Sequence, residues 1–573
     1  MSSGRASRYA RMRLMAAVAT VCALSATPLA PRAVAANTPA YAETYRPQFH
    51  FTPQKNWMND PNGLVYYEGE YHLFYQYNPN GDSWGDMSWG HAVSKDLVHW
   101  KELPLALSHD DEEMVFSGSA VVDWNNTTGF GTEKNPPMVA IYTSAYKNGG
   151  KQAQSLAYST DRGRTWTKYQ GNPVIDIGSA NFRDPKVQWH APTKSWLMTV
   201  SLSTEHKVRF YASKNLKDWE LRSEFGPAGA TGGVWECPDL FPLAVDGDKN
   251  NIKWVLVVNI NPGGIAGGSA AQYFVGDFDG KKFTPEDKGT YTPPTGKAVQ
   301  DVEGGTYGEW TATGDAFGTH VLADQFTAAD QPAKSSVRRA DWADYGKDYY
   351  AAVSWENAPG GKRYMIGWMN NWDYGQSVPT SPWRGAQSVP REMALRTVDG
   401  RVRLTSKPVD SLASLRQKRP ATAAGVTVHS TSKPLTGPAA RGKALDLEAT
   451  FSLEDADRFG LKVRTGAGGE ETVIGYDTTT QELYVDRGRS GAGDFNSTFP
   501  GVQTAPLKPK NGQVKLRILV DWSSVEVFGG SGEAVITDQI FPDPASTGVE
   551  VFAEGGTATL DHLRAWQLKS IWR

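Results

Sequence analysis

The chain has 573 residues, with 59 Lys plus Arg against 62 Asp plus Glu and a formal net charge of −3. That balance excludes the basic excess that nucleic acid or an anionic membrane surface selects, and 39% hydrophobic with 21% charged residues excludes a disordered or fibrous chain. At roughly 100–200 residues per domain the length predicts two or three domains, and 20 Trp and 58 Gly beside 2 Cys predict a turn-rich protein held together by burial rather than by disulfides.

The chain opens with Arg5, Arg8, Arg11 and Arg13, an apolar run from Leu14 to Leu24, and small residues ending in Ala33-Val34-Ala35. These are the features of a secretory signal, so residues 1–35 are expected to leave on export. A membrane-spanning helix needs roughly 20 apolar residues; this run is shorter and is followed by Pro28 and Pro31. Cys22 lies inside the signal and follows Val21, where a lipid-anchored signal requires a smaller residue. The exported chain therefore keeps Cys237 and forms no internal disulfide. It is expected to be extracellular, free of membrane and nucleic acid, and monomeric.

From residue 46 to 400 the sequence repeats. Strand pairs begin with GLVYYE at Gly63, GSAVVD at Gly118, PKVQWH at Pro185, PDLFPLAV at Pro238 and YYAAVSW at Tyr349. Their second members are EYHLFYQY, MVAIYTSA, SWLMTVSLS, KWVLVVNI and RYMIGWM, all rich in β-branched and aromatic residues. A strand–turn–Trp unit recurs behind them: HAVSKDLVHW at 91–100, LAYSTDRGRTW at 156–166 and FYASKNLKDW at 210–219. Five such units, mostly 50 to 70 residues apart, predict an all-β fold with a five-bladed β-propeller. A β-sandwich with similar hairpins is the alternative, but sandwiches rarely repeat a unit at this period. The interval from Pro238 to Tyr349 is too long for one blade and marks an insertion at about 285–343.

Of the 20 Trp, 17 fall between Trp57 and Trp383, which sets a boundary near 400, a linker over 401–420 and a second domain over 421–573. There Leu445, Leu447, Ala449, Phe451 and Leu453 alternate with polar residues, as do Val514, Leu516, Ile518 and Val520. Period-two strands with one polar face predict a C-terminal β-sandwich.

Three segments join an acid to a nearby proline: WMNDPNG with Asp60, NFRDPK with Asp184 and WECPDL with Glu236. Singly, Asp-Pro-Asn-Gly is a good turn, Arg183-Asp184 a surface pair and Glu236 a solvated strand end. Their placement argues otherwise, because each acid stands one to three residues ahead of the first strand of a blade. First strands line a propeller's axis, so all three carboxylates are expected at one mouth of the channel, a glycosidase-type constellation. Trp235, Cys237 and Pro238 give Glu236 an apolar setting suited to an acid/base, whereas Asn59, Asn62 and turn amides suit Asp60 to be an ionised nucleophile. Asp184, beside Arg183, is suited to stay ionised and bind substrate hydroxyls. Trp57, Trp84, Trp89, Phe116 and Trp372 are candidates to stack on sugar faces, with Gln76 and Ser117 as polar partners. His91 and His99 lack metal-ligand spacing and read as structural. With no metal cluster, phosphate loop or nucleotide motif in the sequence, no metal or cofactor is expected.

WMNDPNG at 57–63, HLFYQYNP at 72–79, WGH at 89–91, FSGS at 116–119, RDP at 183–185, ECPD at 236–239, WMNNWDYG at 368–375 and WRGAQSVPRE at 383–392 together resemble glycoside hydrolase family 32, the invertases, levanases and exo-inulinases. The resemblance runs from about residue 46 to the C-terminus. It implies a five-bladed propeller followed by a β-sandwich, and cleavage of β-fructofuranosyl bonds with retention. It implies Asp60 as nucleophile, Glu236 as acid/base and Asp184 as transition-state stabiliser, with Asn59, Gln76, Trp84, Phe116, Ser117, Arg183 and an aromatic near Trp372 holding the terminal fructose. The expected activity is release of fructose from the non-reducing ends of levan or inulin, and from sucrose, with nucleophile and acid/base about 5–5.5 Å apart. The segment at 285–343 resembles a shortened insertion of some bacterial fructanases, which leaves linkage preference and product length open. A levanbiose-releasing enzyme, a transferase and a non-catalytic fructan-binding propeller are the alternatives, and retention of all three carboxylates argues against the last.

Overall fold

The computed structural model describes residues 41–286, 340–437 and 441–572. The expected signal at 1–35 and most of the expected insertion lie outside the described residues.

The chain folds into a five-bladed β-propeller followed by a β-sandwich. Each blade is built around four antiparallel strands joined by local connections. The innermost strands are Asn56–Tyr67, Glu113–Val122, Phe182–His190, Val234–Ala244 and Tyr350–Ser354. Each packs against the innermost strands of the two flanking blades, and the fifth returns to the first, closing the ring. A short strand, Trp383–Arg384, leaves blade five and pairs in parallel with Asn56 and Trp57 of blade one, tying the two ends together. The Arg46 guanidinium, itself buried, lies 3.6 Å above the Trp383 ring and fixes the same junction.

All five innermost strands break register near the same mouth. The irregularities fall between Met58 and Pro61, Phe116 and Gly118, Arg183 and Lys186, Glu236 and Asp239, and Tyr350 and Val353. A bulge inserts an unpaired residue and re-aims its side chain. It also accommodates proline, which cannot donate to a ladder. The three acids therefore lie inside the innermost strands rather than ahead of them: the prolines that suggested strand starts mark bulges instead.

The segment expected as a linker at 401–420 opens with Arg401–Pro408, the outer strand of blade five, paired in full register with Arg391–Val398. A 3-10 turn, Asp410–Leu415, follows and buries Leu412 and Leu415. The fall in Trp content precedes the end of the blade because this outer strand is only partly covered.

In the sandwich two six-stranded sheets enclose one apolar core. Strand Leu445–Ser452 pairs with Gln513–Asp521 so that Leu445, Leu447, Ala449 and Phe451 stand directly opposite Val520, Ile518, Leu516 and Val514. The alternation seen in both sequences is one buried face. Propeller and sandwich meet through buried charges. His50 bridges Asp521 and Glu526 at 2.8 Å each, and Arg391 joins Glu526 at 2.6 Å to Asp344 at 2.8 Å. Each charge in the network is paired with an opposite one, the condition under which burial of charge is tolerated.

Candidate active site

The bulges deliver one polar side chain per blade to the mouth of the axis: Asp60, Ser117, Asp184, Glu236 and Tyr350. A cleft of about 380 Å³ opens there, lined by Asn59, Asp60, Gln76, Trp84, Phe116, Ser117, Gln152, Arg183, Asp184, Glu236, Asn261, Trp372 and Gln376. All ten residues expected from sequence to act on or hold a substrate line this one cleft. Of the other aromatic candidates, Trp57 and Trp89 are wholly buried behind it. Trp57 supports it by donating from Nε1 to Asn59 Oδ1 at 2.7 Å, and Trp89 by donating to the Phe116 carbonyl at 3.0 Å. His91 is buried, stacked on Phe74 and within 3.0 Å of His72, while His99 is exposed and bonds to Asp96 in a surface turn.

Asp60 accepts hydrogen bonds from Ser117 Oγ at 2.6 Å, Asn59 Nδ2 at 2.9 Å and, weakly, Cys237 Sγ at 3.5 Å. The donors are side chains rather than the turn amides expected, because the segment is a strand and not a free turn. Burial raises the Asp60 pKa, helped by the charge of Glu236 and opposed by Ser117 and Asn59.

Asp184 adopts φ 67°, a left-handed conformation uncommon outside glycine. Its Oδ2 accepts the Cys237 amide at 2.9 Å, and its own amide donates to Thr143 Oγ1 at 2.9 Å. Burial raises its pKa to about 7, with Glu236 adding to the rise and Arg183 opposing it. This departs from the expectation of an acid held ionised by Arg183. Arg183 turns instead to Glu236, with Nε 2.9 Å from Oε1.

Glu236 is therefore not in the apolar setting inferred from its neighbours. Trp235 faces away into the core among Phe225 and Phe274. Glu236 receives Arg183 on one oxygen and the buried Tyr350 hydroxyl on the other. Its charge in turn raises the pKa of both Asp60 and Asp184.

Sequence reasoning missed Tyr350, Gln152, Asn261 and Gln376. The repeat itself contained the signal for Tyr350, which opens the innermost strand of blade five where other blades carry their acids. Gln152 starts the third strand of blade two, Asn261 ends the second strand of blade four and Gln376 lies in a turn, with nothing local to single them out.

The model of the glycosyl hydrolases family 32 N-terminal domain matches residues 50–408, and that of the family 32 C-terminal domain matches 411–567. The chain belongs to glycosyl hydrolase family 32. It is 48% identical over 545 residues to a levanase of Bacillus subtilis (strain 168), covering 94% of this chain and 72% of that protein. It is 42% identical to an extracellular exo-inulinase of Aspergillus awamori, covering 93% and 96% of the two chains. The crystal structure of the exo-inulinase from A. awamori superposes with a TM-score of 0.81 over 93% of this chain and all of that one. A fructofuranosidase of Schwanniomyces occidentalis solved with fructose, 31% identical, gives 0.78 over 94% and 100%. Within this family the cleft carboxylates have a reaction to perform.

Proposed function

We propose that this family 32 glycosidase is a secreted retaining β-fructofuranosidase that releases fructose from the non-reducing ends of levan- or inulin-type fructans, and from sucrose. The observation that carries the reading is the convergence of Asp60, Asp184 and Glu236 from three different blades on one cleft walled by Trp84, Phe116 and Trp372. Relatives named levanase and exo-inulinase, and a neighbour solved with fructose, support the substrate class. The extracellular naming of relatives and the signal-like N-terminus support export. Among the described residues no helix is long and apolar enough to cross a membrane.

In the proposed cycle an Asp60 carboxylate oxygen attacks the anomeric carbon of the terminal fructosyl unit. Glu236 passes its proton to the departing glycosidic oxygen, and the bond to the leaving sugar breaks. Water then attacks the fructosyl–Asp60 ester, giving a proton back to Glu236 and releasing fructose with its original anomeric configuration. Glu236 supplies that proton as the general acid in the first step and recovers one as the general base in the second. Asp184, which lines the same cleft, holds substrate hydroxyls as positive charge develops on the sugar.

Product analysis on levan, inulin and sucrose, run with wild type and Glu236→Gln, tests the reading. Fructose as the first product is expected, with kcat lowered by about 10²–10⁴-fold in the variant. Disaccharide as the sole first product from levan would replace the exo-fructosidase reading with a levanbiose-releasing one. Wild-type turnover by Glu236→Gln would remove Glu236 from the chemistry.

A further inference from the structure

One wall of the cleft is not held by the propeller alone. Trp372 and Gln376 belong to a short loop after the strand Arg363–Trp368, folded on itself by Tyr374 and Gly375 amides donating to the Asn371 carbonyl at 3.2 and 2.7 Å. Tyr374, between the two lining residues, points away from the cleft. Its hydroxyl donates to Asp348 Oδ1 at 2.6 Å and accepts from Arg487 Nη2 at 2.9 Å.

Arg487 belongs to the sandwich strand Glu482–Arg489 and is 1% exposed. It uses its whole fork at this point. Nη1 pairs with Asp348 Oδ2 at 2.6 Å, Nε donates to the Phe499 carbonyl at 2.7 Å, and the guanidinium lies 4.0 Å above the Phe499 ring. Tyr374, Val378, Phe499 and Phe541 form an apolar cluster of their own, separate from the cores of both domains. On the outer side Asn496 Nδ2 donates to the Asp373 carbonyl at 3.0 Å. From the loop the contacts run inward: Trp372 packs 5.8 Å from Trp57, which bonds Asn59, which bonds Asp60.

We propose that Arg487 of the sandwich is a positioning residue for the cleft. Through Tyr374 it sets where Trp372 and Gln376 stand, so the C-terminal domain governs how firmly substrate is gripped. The observations favour this over simple domain adhesion. A buried arginine serving only adhesion needs a carboxylate, which Asp348 supplies; here it also satisfies the Tyr374 hydroxyl, which ties down a substrate-facing loop that the propeller holds through Ser269 Oγ on the Trp372 amide at 3.2 Å. Planar bidentate geometry of this kind is not reproduced by lysine.

The inference rests on the cleft reading above, and the test separates the two. Tyr374→Phe removes the hydroxyl while leaving the direct Arg487–Asp348 pair intact. Asn496→Ala cuts the outer tie at a solvent-exposed position, so neither variant depends on tolerating a buried unpaired charge. With sucrose and levan, Tyr374→Phe is expected to raise KM about 5- to 20-fold with kcat changed less than about threefold, the mark of lost uniform binding. Asn496→Ala shifts KM in the same direction by about two- to fivefold. A second readout needs no turnover. The acrylamide quenching of Trp372, taken as the difference between each protein and the same protein carrying Trp372→Phe, increases in both variants. Unchanged KM together with unchanged quenching overturns the inference. Increased quenching in a protein whose wild type hydrolyses none of the three sugars supports the positioning role and sinks only the proposed function.

Discussion

Ser117→Ala isolates the strongest local influence on the proposed nucleophile. Ser117 Oγ donates to Asp60 Oδ2 at 2.6 Å in a buried setting, and this bond opposes the upward pull of burial on the Asp60 pKa. A hydrogen bond to a charged acceptor contributes about 1.5–3 kcal/mol, which at about 1.4 kcal/mol per pH unit corresponds to a rise of about 1–2 units in the acid limb. The sign follows from the group: removing a donor that favours the carboxylate leaves more of Asp60 protonated at a given pH. The loss of kcat/KM is therefore about 10- to 100-fold at the acid end of the profile, where wild-type Asp60 is partly ionised. It shrinks as pH rises toward the limb set by the acid/base. Initial rates on sucrose between pH 3.5 and 7.5, with thermal melts to confirm folding, give the two profiles. A loss equal at every pH, or an acid limb that does not move, would refute the assignment of that limb to the carboxylate cluster around Asp60.

His50, fully buried, has its pKa lowered by burial but pushed up to about 9 by the hydrogen bonds it donates to Asp521 and Glu526 and by their charges. A folded-state value above the unfolded 6.5 means its stabilisation is fully present below pH 6.5 and lost as pH rises through about 9, about 3 kcal/mol in all. Melting temperatures at pH 6 and pH 9.5 should differ more in wild type than in His50→Asn. Burial also pushes the Cys237 thiol well above its usual range. Iodoacetamide at pH 8 should leave native protein unlabelled and alkylate Cys237 only after unfolding, as read by mass spectrometry. Asn259→Leu removes an amide that donates to the Cys237 carbonyl and accepts from the Ala352 amide, both at 2.9 Å. Stranding two buried backbone groups costs about 2–6 kcal/mol, measurable as a fall in unfolding free energy together with lost activity.

The fold was legible because all five blades repeat a covered strand pair, and three of them a polar turn with a Trp end. The sandwich was legible because Leu445 to Phe451 and Val514 to Val520 each alternate with period two. The site was legible through Asp60, Asp184 and Glu236 because the three recur at equivalent places in a repeat, which no single acid could show. What the sequence hid was pairing. Arg183 adjoins Asp184 in the chain but meets Glu236 across 53 positions, a contact between blades that chain order does not show. Gln152 and Asn261 enter the cleft by register, which local pattern does not encode. The outer strand Arg401–Pro408 was hidden for a related reason: an edge strand is half solvated and reads as a connection.

The same geometry explains why the cleft is built on strained backbone. Asp184, Cys237 and Ala351 hold φ of 67°, 43° and 51°, and each non-glycine residue in this region costs on the order of 1–3 kcal/mol. Such conformations persist only when their surroundings over-determine them, and here the second strands do so. Thr143 of blade two donates from Oγ1 to the Ser117 carbonyl at 3.2 Å and accepts the Asp184 amide of blade three. Asn259 of blade four holds the Cys237 carbonyl of its own blade and the Ala352 amide of blade five. Each polar side chain fills the backbone vacancies of two adjacent bulges, so blade two is tied to blade three and blade four to blade five. That coupling holds the paired irregularities at one level. It places acids from distant parts of the chain at one depth, which is the condition for Asp60 and Glu236 to act on opposite sides of a single bond.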